Sequence, residues 1–216
     1  LVYLASSYGR HIRMQPRALN VKIVANGWIF NNLVSDWYVG SNVCVLTIDV
    51  DEITAADVAA ANVNLGAGTD TLNLANGVNA LTISNVETVN GGTGNDAVTF
   101  GAAITATTVA LGSGSDSLTL ADGTNAITAT SVENITGGTG NDVLNSGNGN
   151  DLVIASVGGA DTVNLGAGDD RVDFGTALTT SDVVVGGTNT DTLTYTDVAG
   201  TNELDHVTQV EYFSIS

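Results

Sequence analysis

Aspartates recur in this chain behind short glycine runs, and that combination of residue types suits one kind of chemistry. Asp70, Asp96, Asp116, Asp142, Asp151, Asp161, Asp170 and Asp191 each close a loop holding two or three glycines. Glycine tolerates positive φ, so such a loop can turn its own carbonyls inward at no steric cost, and the aspartate adds a negative oxygen. Calcium takes about six to eight hard oxygen ligands at roughly 2.3–2.6 Å and accepts irregular geometry. A lone Gly-x-Asp reads better as an Asx turn whose carboxylate bonds nearby backbone N–H groups. The phasing of the whole set is what favours a ligand role.

That phasing is a repeat. Leu65-Gly-Ala-Gly-Thr-Asp70 returns as Leu111-Gly-Ser-Gly-Ser-Asp116, and Gly91-Gly-Thr-Gly-Asn-Asp96 returns as Gly137-Gly-Thr-Gly-Asn-Asp142, both at an offset of 46. Ser84-Asn-Val-Glu87 returns as Thr130-Ser-Val-Glu133 at the same offset. The unit reads as two coils, one of 26 residues and one of 20. After Asp142 the intervals tighten to 9, 10 and 9, as in a regular two-sided roll, and Gly186-Gly-Thr-Asn-Thr-Asp191 closes the series.

The elements that must position these loops are short strands. Leu72 and Leu74, Val98 and Phe100, Leu118 and Leu120, Val163 and Leu165, Val172 and Phe174, and Leu193 and Tyr195 lie two and four residues after a loop aspartate. Asn73, Thr99, Thr119, Asn164, Asp173 and Thr194 fall between them. Alternation with period two makes a strand with one buried face. Strands joined by glycine turns once per coil stack as a parallel solenoid with a step of about 4.8 Å.

Here the chain resembles the repeats-in-toxin (RTX) family of haemolysin-type calcium-binding repeats. Gly91 to Thr99 and Gly137 to Asn145 match its nine-residue unit, in which two glycines, any residue, glycine, any residue and aspartate lead into a strand. Similar loops with the first glycine replaced begin at Leu65, Leu111, Ser146 and Leu165, and the resemblance covers Asn62 to Tyr195. It implies an all-β fold, a right-handed parallel β-roll or β-solenoid. It also implies several calcium ions between stacked loops, each taking carbonyls and an aspartate from both. The implied ligands are Gly91, Thr93, Gly137 and Thr139 together with the eight aspartates. Two loops depart from the pattern: Gly158-Gly-Ala-Asp161 is two residues short, and Asn189 stands where a third glycine belongs. Glu87, Glu133 and Glu211 read as turn-stabilising carboxylates, and Asp122, Asp173 and Asp182 as solvated surface charges.

Composition divides the chain near residue 48. Of 23 acids only Asp36 precedes it, while Arg171 is the only basic residue after it. A body so acidic repels itself and needs cations, and it offers nucleic acid no counterion replacement. Residues 1–47, with Met14, Pro16, Trp28, Trp37 and Cys44, read as an N-terminal cap or non-repeat segment; residues 48–200 are the predicted solenoid and 201–216 a C-terminal strand or cap. The segment Val21 to Val34 is expected to hold one or two strands. One cysteine excludes an internal disulfide, and no apolar run is long enough to cross a bilayer as a helix. Leu1 is not an initiator, so the chain reads as a fragment or processed product.

Catalysis finds no constellation. There is no His-Glu-x-x-His and no Gly-x-Ser-x-Gly, and His11 and His206 lie at opposite ends. The expectation is therefore no enzyme but a calcium-binding structural module of a secreted or cell-surface bacterial protein, such as an adhesin, S-layer-like protein or fibre. The resemblance implies type I secretion, with folding on calcium outside the cell. One alternative is a calcium-dependent ice- or glycan-binding solenoid in which Thr93, Asn95, Thr139 and Asn141 face the ligand. Others are an accessory module of a secreted polysaccharide-active enzyme and self-assembly through solenoid ends, using Val210 to Ile215.

Overall fold

A computed structural model of the chain describes residues 59–196 and 204–215, with side chains from Asn62 onward, and the backbone of short strands before them. The described residues form strands and turns, and the strands build two long sheets that face each other. The first sheet contains Glu52–Ala55, Thr71–Leu74, Thr88–Thr93, Thr105–Ser113, Ala126–Thr130, Val143–Asn145, Thr162–Ala167, Val183–Thr188 and Val207–Thr208. The second contains Cys44–Thr47, Ala59–Asn64, Ala80–Ser84, Ala97–Phe100, Ser117–Thr119, Asn134–Thr136, Leu152–Ile154, Arg171–Gly175, Thr192–Tyr195 and Tyr212–Ile215. The chain passes from one sheet to the other at every turn, and each of these strands pairs in parallel with the one a full coil away. This is a parallel β-solenoid of two strands per coil.

The alternation seen in the sequence sets the core. Leu81, Val98, Leu118, Ile135, Val153, Val172 and Leu193 are successive register partners, and all are buried. Phe100 and Phe174 are the largest fully buried side chains. Burying such a side chain contributes roughly 1.5–3 kcal/mol relative to leaving it in water. The column continues from coil to coil, so each coil depends on its neighbours for a core, as in other solenoids.

Coil length differs from the sequence reading. Thr71 pairs with Thr88, 17 residues on, and Thr88 with Thr108, 20 residues on. The interval of 26 between Asp70 and Asp96 is therefore one and a half coils, not one wide coil. It carries the series from one edge of the solenoid to the other. The intervening turns, such as Asn85-Val86-Glu87, carry no glycine, so composition alone does not mark them as turns of equal rank.

Before the solenoid, Lys22–Ala25 and Trp28–Phe30 form an antiparallel hairpin, and Lys22–Ala25 also pairs antiparallel with Glu52–Ala55 at the end of the first sheet. Both strands fall within the segment expected to hold them. Met14, Pro16, Trp37 and residues 201–203, which the sequence reading assigns to the terminal segments, lie outside the described residues.

Candidate metal centre

The turns between the sheets stack into two edges. Edge one leads from the first sheet to the second and carries Asn79, Asp96, Asp116, Glu133, Asp151, Asp170, Asp191 and Glu211. Edge two leads back and carries Asp70, Glu87, Asn125, Asp142, Asp161 and Asp182. Of the predicted ligands, Gly91 and Thr93 therefore stand on edge one, and Gly137 and Thr139 on edge two. The structure never brings the two Gly-Thr-Gly-Asn-Asp loops together, so Thr93, Asn95, Thr139 and Asn141 form no common array. Their polar groups also serve the stack itself: Asn95 Oδ1 accepts the Ser115 N–H, Asn141 Oδ1 accepts the Ala160 N–H, and Thr139 Oγ1 donates to Asp122.

Glycine is required where one loop lies on another. A Cβ built on Gly166 (φ +100°) would collide with the Gly147 carbonyl, and one on Gly168 (φ +149°) with the Gly149 carbonyl. Backbone carbonyls of one coil thus occupy the space that side chains of the next would need. Gly186-Gly-Thr-Asn-Thr-Asp191 keeps this backbone despite its missing glycine, because Asn189 takes φ +84°, a region asparagine tolerates better than most residues.

On each edge, the acid of one coil receives the backbone N–H of its counterpart one coil earlier. Along edge one Asp96 Oδ1 accepts from the Asn79 amide at 3.0 Å, and Asp116 Oδ1 accepts from Asp96 at 2.7 Å. Asp170 Oδ1 accepts from Asp151 at 2.8 Å and Asp191 Oδ1 from Asp170 at 3.0 Å. Each of the two runs ends on a glutamate, since Asp116 donates to Glu133 Oε2 at 2.7 Å and Asp191 to Glu211 Oε2 at 2.8 Å. Glu87 accepts likewise from Asp70 at 2.7 Å on edge two. The turn-stabilising reading of the three glutamates accords with these bonds.

All eight loop aspartates are buried, including those in the two departing loops, Asp161 and Asp191. Asp182 is buried as well, at 1 % exposure, which corrects its reading as a solvated charge. Its Oδ1 accepts the Asp161 N–H at 2.6 Å and its Oδ2 the Thr179 N–H at 2.7 Å. Asp122 is exposed, and its hydrogen bonds from the Thr139 backbone and hydroxyl lower its pKa. Asp173 pairs with Arg171 at 3.0 Å. Asn79 and Asn125 are rungs the sequence reading missed: both are fully buried, and each gives its backbone N–H and side-chain amide to the next aspartate. Their own offset of 46, which matches that of the loops, is the signal that could have found them.

Burial is the largest influence on these carboxyls. It pushes Asp151, Asp161 and Asp170 up to about 6, and it raises Asp116, Asp142 and Asp191 as well. Neighbouring carboxylates add to the rise, Asp170 on Asp151 and Asp142 on Asp161.

The fit to calcium rests on an orphaned atom at each aspartate of edge one. Oδ2 of Asp96, Asp116, Asp151, Asp170 and Asp191 is buried and makes no hydrogen bond. An anionic oxygen removed from water without a donor is costly, and a cation is the partner that removes the cost. Among the described residues no three His, Cys, Asp or Glu side chains gather as a metal centre would. Carboxylate and backbone carbonyl oxygens, as the stacked loops offer, are a hard donor set suited to calcium rather than zinc.

A family model for the RTX calcium-binding nonapeptide repeat, in four copies, matches residues 128–158 and 158–177. No curated protein and no solved structure matches the chain. The matched stretch holds Asp142, Asp151, Asp161 and Asp170, where loops alternate between the edges at every half coil, the spacing a nine-residue repeat requires. Buried carboxylates and stacked glycine loops continue on either side of that stretch, and the chain carries calcium-binding repeats of the RTX type.

Proposed function

We propose that the chain is a calcium-rigidified structural module of a secreted or cell-surface bacterial protein, one that leaves the cell unfolded by type I secretion and folds on meeting calcium outside. The observation that carries this reading is the row of buried, orphaned Oδ2 atoms along edge one. A solenoid with these oxygens uncompensated repels itself, whereas calcium bound only by the folded state stabilises it by linkage. Extracellular calcium modules work at dissociation constants of about 0.1–1 mM, so low cytosolic calcium keeps the chain extended for export. The eight loop aspartates serve as ligands, with Gly91, Thr93, Gly137 and Thr139 lending carbonyls. The hairpin of Lys22–Ala25 and Trp28–Phe30 serves as the cap of the first sheet. At the other end Tyr212, Phe213 and Ile215 are exposed on the last strand, which suits lateral or end-to-end contact with another chain. A calcium titration followed by circular dichroism and light scattering tests both parts. The reading predicts β structure appearing with calcium, and a chain equally folded at every calcium level would sink it.

A second reading rests on the outer faces of the two sheets. Thr82, Thr99, Thr119 and Thr136 are register partners on the second sheet, and Thr71, Thr88, Thr108 and Thr128 on the first. Four threonines in line at about 4.8 Å per step make an uncharged, regular surface suited to ice or a glycan. Thermal hysteresis of the calcium-loaded protein, lost on Thr99→Lys with Thr119→Lys, would favour this reading; its absence leaves the module structural.

A further inference from the structure

Three turns depart from the glycine-rich pattern and resemble one another. Asn85-Val86-Glu87, Ser131-Val132-Glu133 and Gln209-Val210-Glu211 each open on a residue at positive φ, at 54°, 53° and 55°. Each then turns a valine toward the core, Val86 and Val132 fully and Val210 in part. The turn has no glycine, and the extra methylene of glutamate lets its carboxylate reach the aspartate amide one coil earlier.

At the last of these turns, oxygens converge on a space that only glycine leaves open. A Cβ built on Gly186 would collide with the Gln209 carbonyl of that turn and would lie 2.7 Å from Asp191 Oδ2. That same Oδ2 is buried without a hydrogen bond, on a residue of 0 % exposure. Its Oδ1 is already committed to the Asp170 amide, and the Asp191 amide holds the Glu211 carboxylate at 2.8 Å. An orphaned carboxylate oxygen, a backbone carbonyl and a second carboxylate thus meet between the Asp191 loop and the Glu211 turn. The Asp116 loop and Glu133 turn repeat the arrangement in part: Asp116 Oδ2 is buried without a hydrogen bond, and its amide holds Glu133 at 2.7 Å.

We propose that Glu133 and Glu211 are calcium ligands that close the two runs of loops on edge one, in mixed sites with Asp116 and with Asp191 and the Gln209 carbonyl. A nine-residue repeat needs a second glycine loop to complete its ion; here a glycine-free turn supplies the missing negative charge instead. The proposal rests on the calcium reading of the loops and assigns two further side chains to it.

The test is calcium stoichiometry of the full chain by isothermal titration, for the parent, Glu133→Gln, Glu211→Gln and, as a surface control, Asp173→Asn. Glutamine keeps an oxygen to accept the aspartate N–H but removes the charge. Each Gln variant is expected to bind one ion fewer per chain, or one ion at least tenfold more weakly, with the control unchanged. Terbium luminescence excited through tyrosine supplies a readout that does not depend on counting ions. Tyr212 follows Glu211 and is exposed, so Tyr212→Phe should lower the sensitised emission without disturbing the fold, and Glu211→Gln should lower it similarly. Gln variants that match the parent in stoichiometry and affinity, with Tyr212→Phe leaving the emission unchanged, would overturn the glutamate assignment while the loops stand. A parent chain that binds no calcium would instead overturn the underlying reading.

Discussion

The two edges of the solenoid are built from the same loops, yet they solve the problem of a buried carboxylate differently. Along edge one, Asp96, Asp116, Asp151, Asp170 and Asp191 each keep one oxygen without a hydrogen bond. Along edge two, Asp142 accepts both the backbone and side-chain amides of Asn125 through Oδ1, as Asp96 does from Asn79 on edge one, but its other oxygen is not left buried and bare, and Asp182 satisfies both its oxygens with protein donors. Neither acid leaves a buried oxygen unpartnered. The loop over Thr179–Asp182 has no glycine and behaves as a capping turn. We read edge one as calling for an external cation along its length, whereas Asp182 near the C-terminal end of edge two is satisfied by protein donors alone. A shared sequence motif does not make the sites equivalent; the neighbouring coil decides what each carboxylate still lacks.

The largest effect follows from withdrawing the cation altogether. Chelation is expected to abolish most of the β-sheet circular dichroism signal, because the coils share one core and cannot lose an edge singly. Retention of the full signal in excess chelator would show that protein donors suffice on both edges. A smaller and sharper test compares Asp170→Asn with Asp182→Asn. The first neutralises a carboxylate whose Oδ2 is orphaned, so the calcium concentration needed for folding should rise about tenfold, or roughly 1.4 kcal/mol. The second weakens acceptors for the Asp161 and Thr179 amides at a cost of about 1–3 kcal/mol, which should appear as a lower melting temperature at saturating calcium. Identical calcium dependence in both variants would dissolve the distinction between the edges.

How much of this can be read from sequence differs by level. The strand faces are legible residue by residue, since Leu72, Val98, Phe100, Val172 and Leu193 stand at fixed steps from an aspartate and are buried as that spacing requires. The loops are legible for the same reason. Edge assignment is not, because an interval of 26 can mean one wide coil or one and a half narrow ones, and only strand register separates them. Asp182 and the asparagine rungs Asn79 and Asn125 escape because their turns lack the full glycine signature, while their function is set by the coil stacked above or below. Burial of a polar residue in a solenoid is a property of the stack, and the stack is invisible until the register is known.

Acidity should act with opposite signs depending on calcium. In the metal-free chain the Asp151, Asp161 and Asp170 carboxyls titrate near about 6, above the value of about 3.9 in an unfolded chain. The folded state therefore holds protons that the unfolded state has released. Its stability is greatest below about pH 4 and falls as pH rises through about 6. Metal-stripped protein should gain β signal on going from about pH 7.5 to about pH 5. In calcium the same protons compete with the ion, so the calcium requirement should rise over that interval. A metal-free chain whose signal is flat across it would mean that these carboxyls are not desolvated.

The smallest effect probes the one edge-one loop that lacks its third glycine. Asn189 holds φ +84°, where an alanine would carry the left-handed penalty of about 1–2 kcal/mol. Asn189→Ala should therefore lower the melting temperature of the calcium-loaded protein by a few degrees, while Asn189→Gly should leave it nearly unchanged, since glycine enters that region freely. The Asp191 carboxylate is untouched by either change, so calcium affinity should follow the backbone cost alone. If alanine were tolerated as well as glycine, the left-handed turn would not be needed to stack this loop on the coil before it.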